Sequence, residues 1–311
     1  MSQDIASGTH LVVGAGAVGS ALALALAKAG AQVVIGTRSG SGPVHPGITR
    51  IGLDAADANA LLAAAPKAAV VYNCVNPPYH RWPQEWPPMA QAFLDFAELS
   101  GAVLVTCSNL YGYGPQPGPL HEDLPLAAPG TKGRIRAQMW IEAKAWHDAG
   151  RIRASEVRGS DYITPNAQSR LGDRVVPRIL KGKGVQLIGP VDTIHTWTSP
   201  KDVARLMVIA GADERAWGRA WHVPSNPPRT QQEAVNELCI VAGAKPVKVG
   251  QIPAFMVRGL GLVNPLIREL KETAYQFKSP YVLDDSRARA TFALEPTPWA
   301  VLLDEQVAAY R

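Results

Sequence analysis

Cysteine is scarce in this sequence, and its scarcity excludes several classes of protein. The 311 residues include only three cysteines, Cys74, Cys107 and Cys239. Three cysteines cannot build a disulfide framework, and no C-x-x-C pair is present to hold a structural metal. We therefore expect a reducing, cytoplasmic setting and no metal site.

Long apolar runs are also absent. No stretch reaches the roughly 18 apolar residues that span a bilayer, and Arg258 interrupts the best candidate. The opening residues, MSQDIASGTH, lack a basic segment that leads into an apolar one, which is against a secretory signal. We expect no membrane partner.

Charge is modest and slightly basic. The 31 basic and 26 acidic residues give a net charge of +5 and a pI of about 9.1. The densest basic run lies within residues 170–183, where Pro177 and glycines break any helical stripe, and no nucleic-acid reader module accompanies it. We expect no nucleic-acid partner, and the small surplus suits one phosphorylated cofactor.

Apolar runs and helix-like segments alternate through the first half of the chain. Short β-branched or apolar runs predict strands at 10–13, 32–35, 69–73 and 102–107, and we predict a fifth strand at 152–157. Helix formers and helical spacing predict helices at 20–29, 57–65, 89–99 and 134–149. This alternation predicts an α/β protein with a doubly wound, parallel Rossmann sheet.

The second half is less regular. It predicts helices at 199–210, 231–242 and 301–310, a strand at 221–223, and a loose apolar stretch at 250–280. We predict an NADP-binding Rossmann domain over residues 1–165, to which residues 191–223 return. Residues 166–311 would form a smaller substrate-binding region with a closing helix.

Residues 14–19 read Gly-Ala-Gly-Ala-Val-Gly, a G-x-G-x-x-G between a predicted strand and a predicted helix. Gly14 permits the tight turn, Gly16 lets the backbone approach a pyrophosphate, and Gly19 lets the helix pack close to the strand. Ala17 and Val18 open the helix, whose N-terminus faces the anion. The alternative is a glycine-rich turn without a ligand.

The end of the second predicted strand carries no acidic residue. An NAD site usually offers Asp or Glu there to bind the ribose 2′-hydroxyl. This chain has Thr37, Arg38 and Ser39, and arginine binds phosphate strongly while hydroxyls add donors. We predict NADP(H) in preference to NAD(H); the alternative is that Arg38 is an ordinary exposed charge.

Motifs along nearly the whole chain resemble the extended and atypical short-chain dehydrogenase/reductases, which include the NAD-dependent epimerase/dehydratases. The matching segments are Val12 to Gly19, Leu53-Asp54, residues 106–112 (TCSNLYG), residues 121–126 (HEDLPL), Arg158 to Pro165, and residues 201–204 (KDVA). The resemblance implies that Asp54 contacts the adenine. We add Asn73, Cys74, Val75 and Cys107 to the cofactor-binding residues.

The family's catalytic triad does not match. Its Ser or Thr, Tyr and Lys correspond here to Cys107, Lys132 and Arg136, so the resemblance implies that all three are replaced. Arg136, a fixed cation with several donors, could hold the nicotinamide ribose. Lys132 could act as a general acid if burial or Arg136 made its proton easier to lose. The alternative is an exposed lysine with no chemistry.

Other side chains could supply protons. Tyr111 and Tyr113 follow a predicted strand, where α/β folds place active sites, and Tyr111 fits a family position that shapes the pocket. Ser108 is one residue from the family's Ser position and could rotate into that role. We predict Lys132, Tyr111 and Ser108 as the catalytic candidates.

Further residues have both a functional and a structural interpretation. The Pro- and Trp-rich segment at residues 76–83 could form a wall of a substrate pocket or cap the sheet. Tyr162 follows another strand, while His195 and His222 flank the returning segment and are interpreted as structural.

We predict an NADP(H)-dependent oxidoreductase of the atypical short-chain type, acting on a small, apolar carbonyl, alcohol or activated alkene. One alternative is a nucleotide-sugar epimerase or dehydratase, although those reactions need the missing base. Another is a non-catalytic NADP-binding sensor, similar to nitrogen-regulator relatives. The expected partner is a small-molecule substrate. The sequence leaves open whether the protein forms a homodimer.

Overall fold

A computed structural model describes residues 5–165, 169–263 and 265–311. The strands are β1 (Thr9–Val13), β2 (Gln32–Thr37), β3 (Ile48–Gly52), β4 (Ala68–Asn73), β5 (Val103–Asn109), β6 (Arg153–Gly159), β7 (Asp161–Tyr162), β8 (Val185–Leu187), β9 (Trp197–Thr198), β10 (Ala220–His222) and β11 (Val249–Gln251). The α-helices are α1 (Ala17–Lys28), α2 (Ala58–Ala64), α3 (Trp82–Ser100), α4 (Thr131–Asp148), α5 (Val176–Leu180), α6 (Pro200–Ala212), α7 (Gln231–Val241), α8 (Ala254–Val263), α9 (Pro265–Thr273), α10 (Ser286–Phe292) and α11 (Trp299–Ala308). Short 3-10 helices cover Tyr79–Arg81, Tyr111–Tyr113, Glu214–Ala216 and Ala274–Phe277.

Seven strands form one parallel sheet in the order β10-β6-β5-β4-β1-β2-β3. The chain runs outward from β1 to β3 and then returns to the other side of β1 as β4. This reversal is a topological switch point, and in such sheets the ligand crevice lies beyond the carboxyl ends of the strands. The predicted doubly wound α/β fold is confirmed.

The sheet is buried because its central strands are apolar on both faces. On one face, side chains such as Leu11, Val71 and Leu104 pack with α3 residues such as Phe93 and Phe96. Helices α2 and α4 contribute to the same cluster. Burial on both faces explains why these strands read as continuous apolar runs rather than as alternating ones.

Helix α3 and strand β3 differ from the expectations. Helix α3 begins at Trp82, seven residues earlier than predicted, with a proline in its first turn and Pro87 and Pro88 inside it. Trp82 and Trp86, one turn apart, are fully buried, so packing outweighs the prolines' cost to the helix. Strand β3 was not predicted, since its pattern is mostly half-exposed or exposed and offers no apolar run.

The described chain divides into two compact units. The first contains residues 5–114, 125–158 and 203–223, and the second contains residues 115–124, 159–165, 169–202, 224–263 and 265–311. Strand β10 belongs to the first unit, where it pairs with β6. The assignment of one part to NADP and the other to substrate stays a prediction.

The second unit has its own core and two small sheets, β8 with β11 and β7 with β9. Its core joins α5, α7 and α11 through residues such as Val176, Leu238 and Leu302. Part of the stretch at residues 250–280, expected to be loose, forms α8 and α9. Within residues 5–165, 169–263 and 265–311, no helix combines the length and the apolar character needed to cross a bilayer.

Candidate cofactor site and catalytic residues

The glycine loop joins β1 to α1 at the switch point. Gly14 has φ 103°, which favours glycine, and its N–H donates to the Gly36 carbonyl at 2.8 Å. A Cβ on Gly14 would lie 2.5 Å from the Cys74 carbonyl oxygen, and one on Gly19 would collide with the Gly14 carbonyl oxygen. The protein's own packing therefore requires both glycines.

The packing that requires glycine at positions 14 and 19 does not apply to Gly16. Its φ of −71° and ψ of −168° suit any residue, and a Cβ built there meets no atom within 4 Å. Gly16 is the N-cap of α1, yet no side chain caps this helix. An uncapped helix N-terminus directs its first N–H groups and its positive dipole end outward, as Ala17 and Val18 begin the helix. An open Gly16 beside it fits a pyrophosphate that approaches the backbone closely.

The residues that follow β2 lie, like the glycine loop, at the carboxyl ends of the parallel strands. Thr37 and Ser39 shape the turn: the Thr37 hydroxyl donates to the Ser41 carbonyl at 3.0 Å, and the Ser39 hydroxyl donates to the Ser41 hydroxyl at 2.9 Å. Arg38 is exposed between them. Among the described residues, no carboxylate forms an ion pair with Arg38. Its guanidinium is therefore available to an anion.

The other predicted cofactor residues line the ends of the next strands. The exposed Asp54 accepts a hydrogen bond from the Ala56 N–H at 3.0 Å. The buried Asn73 accepts one from the Val75 N–H at 3.2 Å. The Cys74 N–H donates to the Val13 carbonyl at 2.8 Å, which keeps this segment beside β1.

Cys74 and Cys107 follow equivalent positions on neighbouring strands, since Asn73 pairs with Thr106. Burial raises the pKa of the Cys74 thiol well above its usual range, and nearby Cys107 raises it further. Cys74 is therefore a neutral thiol at neutral pH. A neutral thiol is a poor nucleophile, so this position supports a packing or cofactor contact rather than covalent chemistry.

Helix α4 carries Lys132 and Arg136, the two basic residues that were predicted to replace the family's Tyr and Lys. Lys132 is 2% exposed and Arg136, one turn later, is 5% exposed. Between them, Gly133 permits close packing: a Cβ there would collide with the Ala128 Cβ and lie 2.6 Å from the Tyr111 carbonyl oxygen. This approach brings the start of α4 against the Tyr111 segment, and the alternative of an exposed Lys132 is wrong.

A pair of tyrosine hydroxyls lies beside Lys132. Tyr79 follows β4 and Tyr111 follows β5, and their hydroxyl oxygens are 2.7 Å apart. The Lys132 ammonium lies 5.6 Å from the centroid of the Tyr79 ring. Both tyrosines are half-buried. The structure thus brings the predicted residues Tyr111 and Lys132 together through Tyr79, which the sequence-based predictions placed only in a pocket wall or sheet cap.

Arg136 lies among the tryptophans of α3. Its guanidinium carbon is 4.8 Å from the Trp82 ring centroid and 4.3 Å from the Trp86 ring centroid, which indicates cation–π contacts with both. Its Nη1 donates to the Cys107 carbonyl at 3.4 Å. These contacts hold the guanidinium in place at the end of β5. A pattern of Trp82, Trp86, Met89 and Phe93 at helical spacing could have indicated this face from the sequence.

Ser108 lies near the carboxyl end of β5. It is 4% exposed, and its Oγ has no hydrogen-bond partner among the described residues. A buried hydroxyl without a partner costs about 1–3 kcal/mol. Ser108 therefore has an unused donor and acceptor at the strand edge where a ligand is expected.

Tyr113 belongs to a different, fully buried network. Its hydroxyl accepts from Arg158 Nη1 at 2.5 Å and lies 2.8 Å from His222 Nε2. Arg158 also donates through Nε to Glu156 at 2.6 Å. Burial opposes the charge on Arg158, but Glu156 and Tyr113 together outweigh it and raise the pKa of the guanidinium. Tyr113 and His222 are thus engaged with each other and with Arg158.

In the second unit, His195 is fully buried. Its Nε2 lies 2.9 Å from an Asp161 carboxylate oxygen, and its ring stacks on Phe277 at 4.2 Å between centroids. Burial alone would raise the pKa of Asp161, but the hydrogen bond and electrostatic attraction to His195, together with the charge of Arg170, hold it below its ordinary value. The backbone carbonyl of Tyr162 accepts from the Ser169 hydroxyl at 2.8 Å.

Comparison with known proteins identifies the family. The model of the NAD-dependent epimerase/dehydratase family matches residues 10–223. That match covers more than half of the chain, so the chain belongs to this family. No curated protein sequence matches it.

Solved structures share the fold at low identity. The dTDP-glucose 4,6-dehydratase of Bacillus anthracis in complex with NAD is 16% identical over 98% of this chain and 96% of its own, with a TM-score of 0.78. The UDP-glucose 4-epimerase of Thermotoga maritima with UDP-glucose is 15% identical over 97% and 98%, with a TM-score of 0.79. The UDP-glucuronic acid 4-epimerase of Bacillus cereus in complex with NAD is 17% identical over 97% and 98%, with a TM-score of 0.76. These similarities establish a shared fold.

Proposed function

We propose that this chain binds a nicotinamide dinucleotide and catalyses hydride transfer at an alcohol or carbonyl carbon of a small molecule. The observation that carries the proposal is Gly16, a glycine that neither backbone conformation nor packing requires, at the uncapped N-terminus of α1. A dinucleotide's pyrophosphate explains both features together. Gly14 and Gly19 build the turn that presents Gly16.

We further propose NADP(H) as the preferred cofactor. Arg38 is exposed directly after β2, carries no ion pair with a described carboxylate, and is flanked by two hydroxyl residues. Its position matches the adenosine 2′-phosphate of NADP. The solved structures from Bacillus anthracis and Bacillus cereus contain NAD, so this preference would distinguish the chain from those two proteins.

The residues at the carboxyl ends of β4 and β5 would handle the substrate. When bound, the nicotinamide supplies or accepts the hydride. Ser108, with its unused buried hydroxyl, would donate a hydrogen bond to the reacting oxygen. Arg136, fixed between Trp82 and Trp86, would bind the nicotinamide ribose.

A nucleotide sugar is the substrate class that the comparisons favour. The solved relatives are described as acting on dTDP-glucose, UDP-glucose and UDP-glucuronic acid. They support an epimerase or dehydratase more than the small apolar carbonyl that the sequence suggested. The predicted replacement of the family's Tyr and Lys argues against that class, because Lys132 and Arg136 at those positions would alter the proton chemistry that those reactions use.

Cofactor binding is tested by fluorescence titration of the purified protein with NADPH and NADH. We expect NADPH to bind at least about tenfold more tightly, since a charge-assisted contact contributes about 1.5–3 kcal/mol. Arg38→Glu should abolish that preference. Lys67→Glu makes the same charge change just before β4, at the amino ends of the parallel strands. It should leave the preference for NADPH unchanged. An Arg38→Glu protein that still prefers NADPH would refute the cofactor assignment.

Turnover is tested on two panels. The first offers NADPH with aldehydes, ketones and enones, followed at the nicotinamide absorbance band. The second offers UDP-glucose, UDP-glucuronic acid and dTDP-glucose with NADP⁺ or NAD⁺, and follows the sugar products. Turnover on either panel identifies the substrate class. Tight NADPH binding without turnover on both panels would contradict the enzymatic proposal and favour a sensor.

A further inference from the structure

We propose that the Tyr79–Tyr111 hydroxyl pair is the proton-transfer group of this site. This inference rests on the proposed function, because it assigns the residue that moves the proton accompanying hydride transfer. Neither tyrosine lies on α4, the helix that carries Lys132 and Arg136. The pair is instead contributed by the segments that follow β4 and β5.

The oxygen–oxygen distance carries the argument. At 2.7 Å, the two hydroxyls are at the usual length of an O–H···O hydrogen bond. In such a pair one hydroxyl donates and the other accepts. The accepting hydroxyl keeps its own hydrogen, which is directed away from the pair. A proton given up at that end can be replaced from the donating end through the hydrogen bond.

The rings are held so that this contact persists. Tyr79 and Tyr111 meet edge to face, with ring centroids 6.4 Å apart and 70° between planes, and Tyr79 also meets Trp82 edge to face at 5.1 Å. The Asn109 side chain accepts from the Tyr111 N–H at 3.0 Å, which fixes the backbone where β5 ends. Both tyrosines begin short 3-10 helices that follow β4 and β5, and these ring and backbone contacts hold the pair in place.

The surrounding charge favours an ionised phenol. Lys132 is buried, and its ammonium lies 5.6 Å from the Tyr79 ring centroid. A positive charge this close stabilises a negative charge on the pair in a partly dry environment. Lys132 is therefore a positioning and charge-stabilising residue, not the proton donor. Tyr113 belongs to a separate buried network with Arg158 and His222 and is not part of this pair.

The step balances without a further reagent. When a substrate carbonyl carbon receives hydride, the carbonyl π electrons move to its oxygen. That oxygen takes the proton from the Tyr111 hydroxyl, whose O–H bond breaks. The Tyr79 hydroxyl then passes its proton to the Tyr111 oxygen and regains one from water. In the oxidative direction, the same pair removes the alcohol proton.

Kinetics on the fastest substrate of the two panels tests the assignment. We expect Tyr111→Phe to lower kcat about 100-fold or more, the usual range for removing a general acid. Tyr79→Phe should lower kcat by about tenfold and shift the midpoint of its pH profile by about one unit, because a hydrogen bond to the ionised form is lost. The double variant should be no slower than Tyr111→Phe, since the two act as a unit. Tyr310→Phe, in the second unit, is the matched control and should leave kcat unchanged.

A second measurement needs no substrate. Tyrosinate absorbance during an alkaline titration of the protein should contain one early component that both Tyr79→Phe and Tyr111→Phe remove and Tyr310→Phe keeps. Lys132→Met should move that component to higher pH, and Lys132→Arg should restore it. NADPH affinity and thermal unfolding of each variant confirm that the fold is intact.

The outcomes separate the two proposals. If both single variants keep kcat within about threefold of the wild type, or if their losses multiply in the double variant, the pair is refuted while the function stands. If neither panel shows turnover, the proposed function fails. The tyrosinate titration alone then tests whether Tyr79 and Tyr111 act as one proton-transfer group. An early tyrosinate component that remains in both Tyr79→Phe and Tyr111→Phe would overturn the proposed role of the pair.

Discussion

Replacing Gly16 with alanine separates cofactor binding from folding. An added Cβ meets no protein atom within 4 Å, and φ −71° with ψ −168° suits alanine. Alanine restricts the unfolded chain, which stabilises by about 0.4–1 kcal/mol, but it is a poorer N-cap than glycine by a similar amount. The free energy of unfolding should therefore stay within about 1 kcal/mol of the wild type.

Affinity for NADPH should respond differently. The Cβ would occupy the space where the pyrophosphate approaches the backbone, and overpacking of this size costs about 1–3 kcal/mol. That range corresponds to a dissociation constant raised about 5- to 150-fold. Fluorescence titration with NADPH gives the affinity, and urea unfolding without cofactor gives the stability.

Gly19→Ala is the matched contrast. Its Cβ would collide with the Gly14 carbonyl oxygen, which belongs to rigid backbone, so stability itself should fall by several kcal/mol. A Gly16→Ala protein that binds NADPH within twofold of the wild type would refute the reasoning. So would one that loses as much stability as Gly19→Ala.

Three further predictions concern packing, pH and capping. Gly133→Ala should destabilise by about 1–3 kcal/mol in urea unfolding because its Cβ would press on the Tyr111 carbonyl, while Gly259→Ala on α8, with open space around it, should not. Burial lowers the pKa of His10, so below about pH 6.5 the unfolded chain binds a proton that the native chain does not. Stability should thus fall from pH 7.5 to 5.5, less steeply in His10→Gln, and equal slopes would contradict this. Thr230→Ala should cost about 1 kcal/mol by removing the capping box of α7, and Thr230→Ser should retain it in thermal unfolding.

The core of the fold could be predicted because each central strand carries its own signal. β1, β2, β4 and β5 are short runs of mainly apolar or β-branched residues, and buried parallel strands need such runs. Strand β3 could not be predicted in this way. It lies at the edge of the sheet, where one neighbour and partial exposure place little demand on composition.

Helix α3 shows where local rules fail. Its prolines indicate a loop, and the predicted helix accordingly began at Met89. Burial of Trp82 and Trp86 stabilises the extra turns by more than the prolines destabilise them. This burial occurs only once β4, β5 and α4 have packed against the helix. The same tryptophans then hold Arg136, so an error in the helix start concealed a feature of the site.

The candidate site divides in the same manner. Gly14, Gly16 and Gly19 were identified from their spacing, because a strand–turn–helix with this pattern is local in sequence. Lys132 and Tyr111 were identified as separate candidates, and the resemblance to the family supplied their positions. Their closeness to each other, and the part played by Tyr79, were not visible, since 53 residues separate Tyr79 from Lys132.

The sequence by itself determined the doubly wound parallel sheet, the glycine loop and the basic residue after β2. Each depends on contacts between residues close along the chain or on the apolar character of single strands. Only the tertiary structure decided that Lys132 is buried, that Tyr79 and Tyr111 share a hydrogen bond, and that Ser108 has an unused hydroxyl. These features arise because parallel strands bring their carboxyl ends to one edge, where segments distant in sequence meet.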